Sequence, residues 1–424
     1  MFDNMPKLRS TAKTVLMPLR TSVMFCLMAV LVALVDMASD LYVPILPEIG
    51  HVFKVSDSWV GATLSVNLIS LAFSGLYYGS LSDTIGRKPV IVGGLTLFTL
   101  ASLACGFSTN IIQLLFARFF QGLGGGVAFS VGVAVVRDLY EGGPKGAQMF
   151  SRMQSVIALS PTFAPIIGGI IGTIYGWQSI FYALGTISIT LLISVLFFGN
   201  ETLSPEKRRK GFSTGIGNEY KYFLQRPLFL CFAGIQILSL CWFWSELAFL
   251  PPLFQDHYGV PASSFGWYLS VLMAAYILGT FLNQYLVNYV DLKKLVSIGL
   301  GLFFLSAGLM CLAQAIDYVS PWMVVLLRIP AGVGFAFVFG NAGTLAMDQE
   351  KDRTGSAAAL IGSSELLAGA IGIFIIDLLG TGTLYPLAIM MIGCSIFCVA
   401  LMLKSEILQK ESITDPYQNF DKTG

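Results

Sequence analysis

The chain alternates between long apolar runs and short polar connections. An apolar run of about 20 residues can cross a bilayer as a helix. Twelve such runs are present, six on each side of one long polar gap. They lie near residues 22–46, 59–81, 89–107, 111–135, 148–173 and 177–199, and then near 228–252, 265–288, 295–314, 321–346, 356–379 and 383–403. The pattern predicts an all-α membrane protein with twelve transmembrane helices.

Basic residues are concentrated on one side of the predicted bundle. Of the 25 Lys and Arg residues, all but Lys54, Arg118 and Arg328 fall in the two terminal segments or in the even-numbered connections. Because positively charged connections stay in the cytoplasm, this distribution predicts a multi-pass inner-membrane protein with both termini cytoplasmic.

A weak internal repeat relates the two halves of the chain. Arg118 and Arg328 each begin an Arg-x-x-x-Gly-x-Gly segment, 210 residues apart, and the segments beginning at Gly146 and Gly355 match loosely at nearly the same offset. We expect two pseudo-symmetric six-helix bundles. The predicted parts are a cytoplasmic tail 1–20, a first bundle 21–199, a cytoplasmic linker 200–226, a second bundle 227–403 and a cytoplasmic tail 404–424.

Composition agrees with a membrane protein and offers no sign of an enzyme. Charged residues make up 12% of the chain, about half the fraction in soluble domains. A net charge of +1 gives no reason to expect a nucleic-acid partner. The seven cysteines lie inside apolar runs without metal-ligand spacing, so we expect no metal site. No catalytic constellation stands out, and the prediction is a non-enzyme.

Four segments resemble the major facilitator superfamily. "GSLSDTIGRKPVI" (Gly79–Ile91) is similar to its signature cytoplasmic loop, and "RFFQG" (Arg118–Gly122) to the fourth-helix motif of proton-coupled members. "SPTFAPIIGG" (Ser160–Gly169) resembles the fifth-helix motif of the exporters, with Ala164 where the pattern has Gly. "SDLYVPILPEI" (Ser39–Ile49) resembles the first-helix motif of Bcr/CflA-type drug:proton antiporters with twelve helices.

The loop after the second span is predicted to gate the transporter. Its candidate residues are Gly79, Asp83, Gly86, Arg87 and Lys88. Glycines allow a tight turn between close helices, and Asp83 could cap a neighbouring helix N-terminus. The resemblance implies that this neighbour is the eleventh helix, and that Arg87 pairs with an acid such as Asp138. The alternative is a solvated turn whose charges only set topology.

Small residues and prolines are predicted to shape two helices. The Gly-rich segment 122–132 could suggest a phosphate-binding loop, but it lies within a membrane span without a flanking strand. Close helix packing explains it better. The candidates for packing and kinking are Gly122 in the fourth span and Pro161, Pro165, Gly168 and Gly169 in the fifth.

Ionisable residues within the predicted spans are the candidates for function. They are Asp36, Asp40, Arg118, Glu246, Arg328, Glu365 and Asp377. Such residues usually face a bundle interior or an aqueous cavity. Asp36 and Asp40 share one helix face, and two like charges in low dielectric do not both ionise cheaply. We therefore predict proton coupling by Asp36, Asp40 and Arg118, with Arg118 exchanging partners during the cycle.

Some of these assignments have alternatives. Asp40, with Pro44 and Pro47, could instead end the first helix outside the hydrocarbon, and the division of labour between Asp36 and Asp40 stays open. Arg328 is predicted to be structural and Asp377 interfacial.

The predicted substrate-binding residues are Asp36, Gln154, Trp244, Glu246 and Glu365. Aromatic faces with a carboxylate suit an organic cation. Alternatively, the aromatic residues around Glu246 form a belt at the lipid edge, and Glu365 is a structural partner of Arg328.

These observations predict a proton-coupled secondary transporter that exports small lipophilic molecules, cationic or zwitterionic, by alternating access. The proton gradient is the driving force, so no cofactor is expected. The expected partners are the substrate, protons and the bilayer, and the expected state is a monomer. The alternatives are a dedicated carrier, for export or uptake, of one metabolite or siderophore-like compound, and a non-transporting membrane receptor.

Overall fold

The computed structural model describes residues 5–140, 143–208, 221–316, 319–350, 353–380 and 382–414. Within these residues the chain forms twelve long helices and no β-strand. The prediction of an all-α membrane protein is confirmed. Eleven of these helices are long and apolar enough to cross a membrane, whereas in the fifth the apolar stretch within the described residues is the shorter Ser160–Tyr175.

The first half of the chain contains helices α1 to α6. Their bounds are α1 Met5–Asp40, α2 Asp57–Ile85, α3 Arg87–Gly106, α4 Ile111–Tyr140, α5 Gly143–Tyr175 and α6 Gln178–Phe198. A 3₁₀ turn, Val43–Ile45, and a short helix, Leu46–Phe53, connect α1 to α2.

The second half contains helices α7 to α12. Their bounds are α7 Pro227–Pro252, α8 Ala262–Leu286, α9 Leu292–Ala315, α10 Pro321–Asp348, α11 Thr354–Leu379 and α12 Tyr385–Thr414. The described part of the linker includes one 3₁₀ turn, Pro205–Lys207.

Local sequence signals explain several helix ends. The Asn110 side chain caps α4 by accepting the Gln113 N–H at 3.0 Å, and Asp291 caps α9 in the same way. Gly86 separates α2 from α3 with φ +106°, a value that glycine adopts readily and other residues avoid. A π-helical turn, Ala128–Gly132, lies within α4, and another, Leu253–His257, directly follows α7.

Each half has its own hydrophobic core. One cluster of buried side chains is drawn almost wholly from residues 24–195, and the other almost wholly from 223–402. Equivalent glycines allow close helix packing in the two cores. A Cβ on Gly124 of α4 would lie 2.7 Å from the carbonyl oxygen of Gly94 of α3, and one on Gly334 of α10 would lie 2.7 Å from that of Gly299 of α9. Backbones approach this closely only through small residues.

The two halves meet at the end of the bundle opposite the basic connections. We call this contact the outer seam, and it is formed by α2 with α11, by α5 with α8, and by the segments that follow α1 and α7. Hydrogen bonds between described residues cross it, including Ser65 Oγ to the Ala370 carbonyl (3.2 Å), Ser270 Oγ to the Thr162 carbonyl (2.7 Å), Gln255 Nε2 to the Pro44 carbonyl (2.6 Å) and His51 Nε2 with Asp256 Oδ1 (2.9 Å). The seam is therefore closed in this conformation.

Candidate functional site

The two aspartates of α1 face α5. Asp40, the last residue of α1, is buried, and its Oδ2 accepts a hydrogen bond from Ser160 Oγ at 2.8 Å. Asp36, one turn earlier, is partly exposed and lies beside the same serine. Asp40 thus ends α1, as the alternative interpretation from sequence expected, but it is buried within the protein.

Arg118 of α4 is fully buried, and among the described residues it has no carboxylate partner. Its Nη1 donates to Gln121 Oε1 at 2.6 Å and lies 3.4 Å from the Ala38 carbonyl oxygen. Its guanidinium lies over the Tyr42 ring, 4.5 Å from the centroid. The Nε and Nη2 groups are buried without a hydrogen-bond partner. Each such group costs about 1–3 kcal/mol, so a conformation that brings a carboxylate to Arg118 would be stabilised.

Other polar side chains hold Arg118 in place. Gln121 Nε2 donates to Ser102 Oγ at 2.8 Å, and Asn67 Nδ2 of α2 donates to the Arg118 carbonyl oxygen at 2.9 Å. Gly122 lies at this crossing of α2 and α4, where a Cβ would overlap the Asn67 backbone. These supporting residues were not predicted from the sequence, although Gln121 belongs to the "RFFQG" segment that contains Arg118.

In the second half, the equivalent arginine is paired. Arg328 Nε donates to Glu246 Oε1 at 2.7 Å, and Arg328 Nη2 contacts Glu246 Oε2, which makes the pair bidentate. Both side chains are buried, and the guanidinium lies 4.5 Å from the Trp242 ring centroid. The partner of Arg328 is therefore Glu246 and not Glu365, and Glu246 is inside the protein rather than at the lipid edge.

The repeat extends to the acids. Ser39-Asp40-Leu41 at the end of α1 corresponds to Ser245-Glu246-Leu247 near the end of α7. The offset between these acids is 206 residues, close to the 210 between the two arginines. In the structure Glu246 binds Arg328, whereas Asp40 bonds Ser160.

Glu365 is a second buried carboxylate, on α11. Its neighbour is the Gln236 side chain of α7, and its Oε1 is buried without a hydrogen-bond partner. Trp244 packs against Gly369 of α11, where a Cβ would lie 2.5 Å from the indole Cδ1. Trp244 also contacts both hydrophobic cores, so it lies where the halves meet. The side chain of Gln154 lies outside the described residues.

The predicted gating loop is bound to its own half. Arg87 bonds Asp83 at 2.8 Å and Asp138 at 3.0 Å, and its backbone N–H donates to Glu201 Oε1 at 2.9 Å. Lys88 Nζ donates to the Gly199 carbonyl oxygen at 2.9 Å. Asp83 contacts Arg87 in this conformation. Its contact with the start of α11 stays a prediction, because residues 351–352 and the side chains at 354–355 lie outside the described residues.

The remaining candidates are packing positions. Gly79 lies beside Ser130 in the π turn of α4. Pro161 and Pro165 lie within α5, and a Cβ on Gly168 would overlap the Leu41 backbone next to Asp40. A Cβ on Gly169 would overlap the Ala262 backbone across the outer seam. The small residues of α5 thus allow it to contact α1 and α8 closely.

Comparisons with known proteins agree on one family. The model described as Major Facilitator Superfamily matches residues 28–372, with a second match over 236–415. The multidrug resistance protein MdtL of Shewanella oneidensis is 27% identical over 89% of this chain and 95% of its own length. MdtL of Citrobacter koseri is 26% identical over 88% of this chain and 93% of its own length.

Two solved structures share the fold. They are those of a bacterial homologue of the human lysosomal transporter Spinster, in inward-facing unoccupied and occupied conformations. The unoccupied one has a TM-score of 0.72 at 14% identity and covers 92% of this chain and 98% of that chain. The occupied one has a TM-score of 0.71 at 15% identity and covers 92% and 97%.

Proposed function

Because the chain belongs to the major facilitator superfamily, we propose that it is a proton-coupled exporter of small lipophilic cations and zwitterions in the bacterial inner membrane. The relatives named multidrug resistance protein support an exporter with more than one substrate. The positive-inside rule supports a cytoplasmic location for both termini. With that orientation, the closed outer seam lies on the periplasmic side.

The contrast between the two arginines is the observation that carries this proposal. Arg328 is neutralised by Glu246, while Arg118 is buried with two N–H groups that have no partner among the described residues, and its Nη1 lies 3.4 Å from the carbonyl oxygen of Ala38, two residues before Asp40. In the proposed cycle, Asp40 bonds Ser160 while it carries a proton and pairs with Arg118 after it loses the proton. The Glu246–Arg328 pair is the template that we take for the second state. Partner exchange thereby links proton release to movement of α1 relative to α4 and α5.

Energy for export comes from the proton. Each charge that crosses 100 mV contributes about 2.3 kcal/mol, which supports a substrate gradient of roughly fifty-fold. Asp36 and Glu365 are the acids available to a cationic substrate, since Asp40 is bound to Ser160 and Glu246 to Arg328. Trp244 supplies an aromatic face at the meeting of the halves.

Proton flux in liposomes tests the proposal. Purified protein would be reconstituted with a pH-sensitive dye and challenged with lipophilic cations, zwitterions, neutral antibiotics and siderophore-like compounds. We expect several unrelated cations to drive proton movement in wild-type protein and in the control Asp256→Asn, whose acid lies at the exposed end of the seam. Asp40→Asn and Asp36→Asn should each abolish this movement.

Two outcomes would contradict the proposal. A response to a single compound class would favour a dedicated carrier. Flux that persists in both Asp36→Asn and Asp40→Asn would exclude coupling through α1. A binding measurement for the same cations in Glu365→Gln separates loss of substrate affinity from loss of proton coupling.

A further inference from the structure

Asp377 lies where α11 of the second half crosses α2 of the first. Its carboxylate rests directly on the α2 backbone, because a Cβ on Gly61 would lie only 2.9 Å from the carboxyl carbon of Asp377. The crossing is part of the outer seam, and the Ser65–Ala370 hydrogen bond joins the same two helices nearer the middle of the bundle. Asp377 is thus enclosed by the other half only while the seam is closed.

Charges near Asp377 do not compensate its own. The charged neighbour across the seam is Asp57, at the start of α2, which has the same sign. Among the described residues, no ion pair or hydrogen bond to the Asp377 side chain is present, although the start of α2 contributes a weak positive dipole. Helix α7 also packs against α11, and its acids are engaged: Glu246 binds Arg328, and Asp256, in the turn beyond the helix, binds His51.

Closing the seam over an ionised Asp377 is therefore unfavourable. A carboxylate loses hydration when α2 covers it, and it approaches the like charge of Asp57. Opening the seam reverses both effects. A groove of about 500 Å³ lies between α2 and α11 and reaches the exposed start of α2. Its lining includes Trp59, Phe374 and Asp377 together with Ser56 and Ser58.

We propose that Asp377 is a second proton-binding residue of the transport cycle. The seam closes when the Asp377 carboxyl is protonated and opens when it is ionised. This role is separate from that of the α1 acids. It rests on alternating access, which the family shares, and not on the proposed substrate. A proton taken up at the open outer seam would favour the closure that an antiporter needs after it releases its substrate.

Distance measurements across the seam test this role without any substrate. Spin labels would be placed at Phe107 and Ile316, exposed positions just beyond the outer ends of α3 and α9, after replacement of the seven native cysteines. Asp36→Asn and Asp40→Asn would be present in all proteins, so that the α1 acids do not titrate. In this background we expect the ratio of open to closed protein to rise about tenfold from about pH 5.5 to about pH 8. The reason is that a tenfold difference in proton affinity between the closed and the open state changes this ratio about tenfold.

Three variants distinguish the outcomes. Asp377→Asn should hold the seam closed at both pH values, and Asp57→Asn should reduce the opening at high pH by a smaller factor. Asp256→Asn removes an acid from the same seam but also an ion pair, so it should favour opening and retain the pH response. An Asp377→Asn protein that opens with pH as the background protein does would overturn the proposal, as would a background protein without a pH response. If transport assays fail while the seam titrates as expected, only the proposed function is refuted.

Discussion

Breaking the Glu246–Arg328 pair is expected to destabilise the protein strongly. The side chains of Arg328 and Glu246 are 2% and 6% exposed, and the two carboxylate oxygens contact separate guanidinium nitrogens. Removing one partner of a buried pair costs about 3–5 kcal/mol, because the other charge stays buried without compensation. Since glutamine retains one acceptor oxygen, we expect Glu246→Gln to lie near the lower end, about 3 kcal/mol.

An exposed ion pair of the same protein provides the control. His51 and Asp256 form a pair whose side chains are 72% and 37% exposed, and such pairs contribute about 0–1 kcal/mol. Unfolding in mixed micelles, titrated with SDS and followed by tryptophan fluorescence, should show a large shift for Glu246→Gln and almost none for Asp256→Asn. The double variant Glu246→Leu with Arg328→Met should recover most of the lost stability, because no buried charge remains.

A Glu246→Gln protein within about 1 kcal/mol of wild type would refute this reasoning. It would mean that water or a rearranged side chain compensates Arg328. The closed pair would then be a poor template for the Asp40–Arg118 pair, and the proposed partner exchange would lose its structural basis.

Three further predictions concern packing, the loop and coupling. Gly124→Ala should destabilise the first half by about 1–3 kcal/mol, because the added methyl would lie 2.7 Å from the Gly94 carbonyl oxygen, whereas Gly93→Ala meets nothing within 4 Å and should be tolerated in the same unfolding assay. Arg87→Met should speed hydrogen exchange at the start of α3 roughly tenfold or more, since hydrogen bonds to charged groups contribute about 1.5–3 kcal/mol. Unchanged hydrogen exchange would mean that the Arg87 side chain does not hold the loop to the first half. Ser160→Ala should alter the rate of substrate-driven proton release about five-fold, the equivalent of one hydrogen bond of about 1 kcal/mol, and Ser160→Thr should retain the wild-type rate.

Local sequence was sufficient for the membrane architecture and the family. Hydrophobic run length decides whether a segment can cross a bilayer, so α2, predicted near 59–81, is found at Asp57–Ile85 without knowledge of its neighbours. The family resemblance drawn from the Gly79–Ile91 loop is confirmed by the family match over most of the chain. Both signals are contained in contiguous residues.

Only the tertiary structure decided which partners the buried charges have. Asp40 bonds Ser160, 120 residues away, and Arg328 binds Glu246, 82 residues away. Arg118 and Arg328 look equivalent in the sequence repeat, yet one is unpaired and the other neutralised. Asp377 is predicted from sequence to be interfacial, and the crossing of α11 with α2 at Gly61 adds that it lies in the seam. Hydropathy measures how much of a helix is apolar. The partner of a buried charge depends instead on how its helix is rotated about its axis and on which helices contact it. Both are set by packing across the whole bundle.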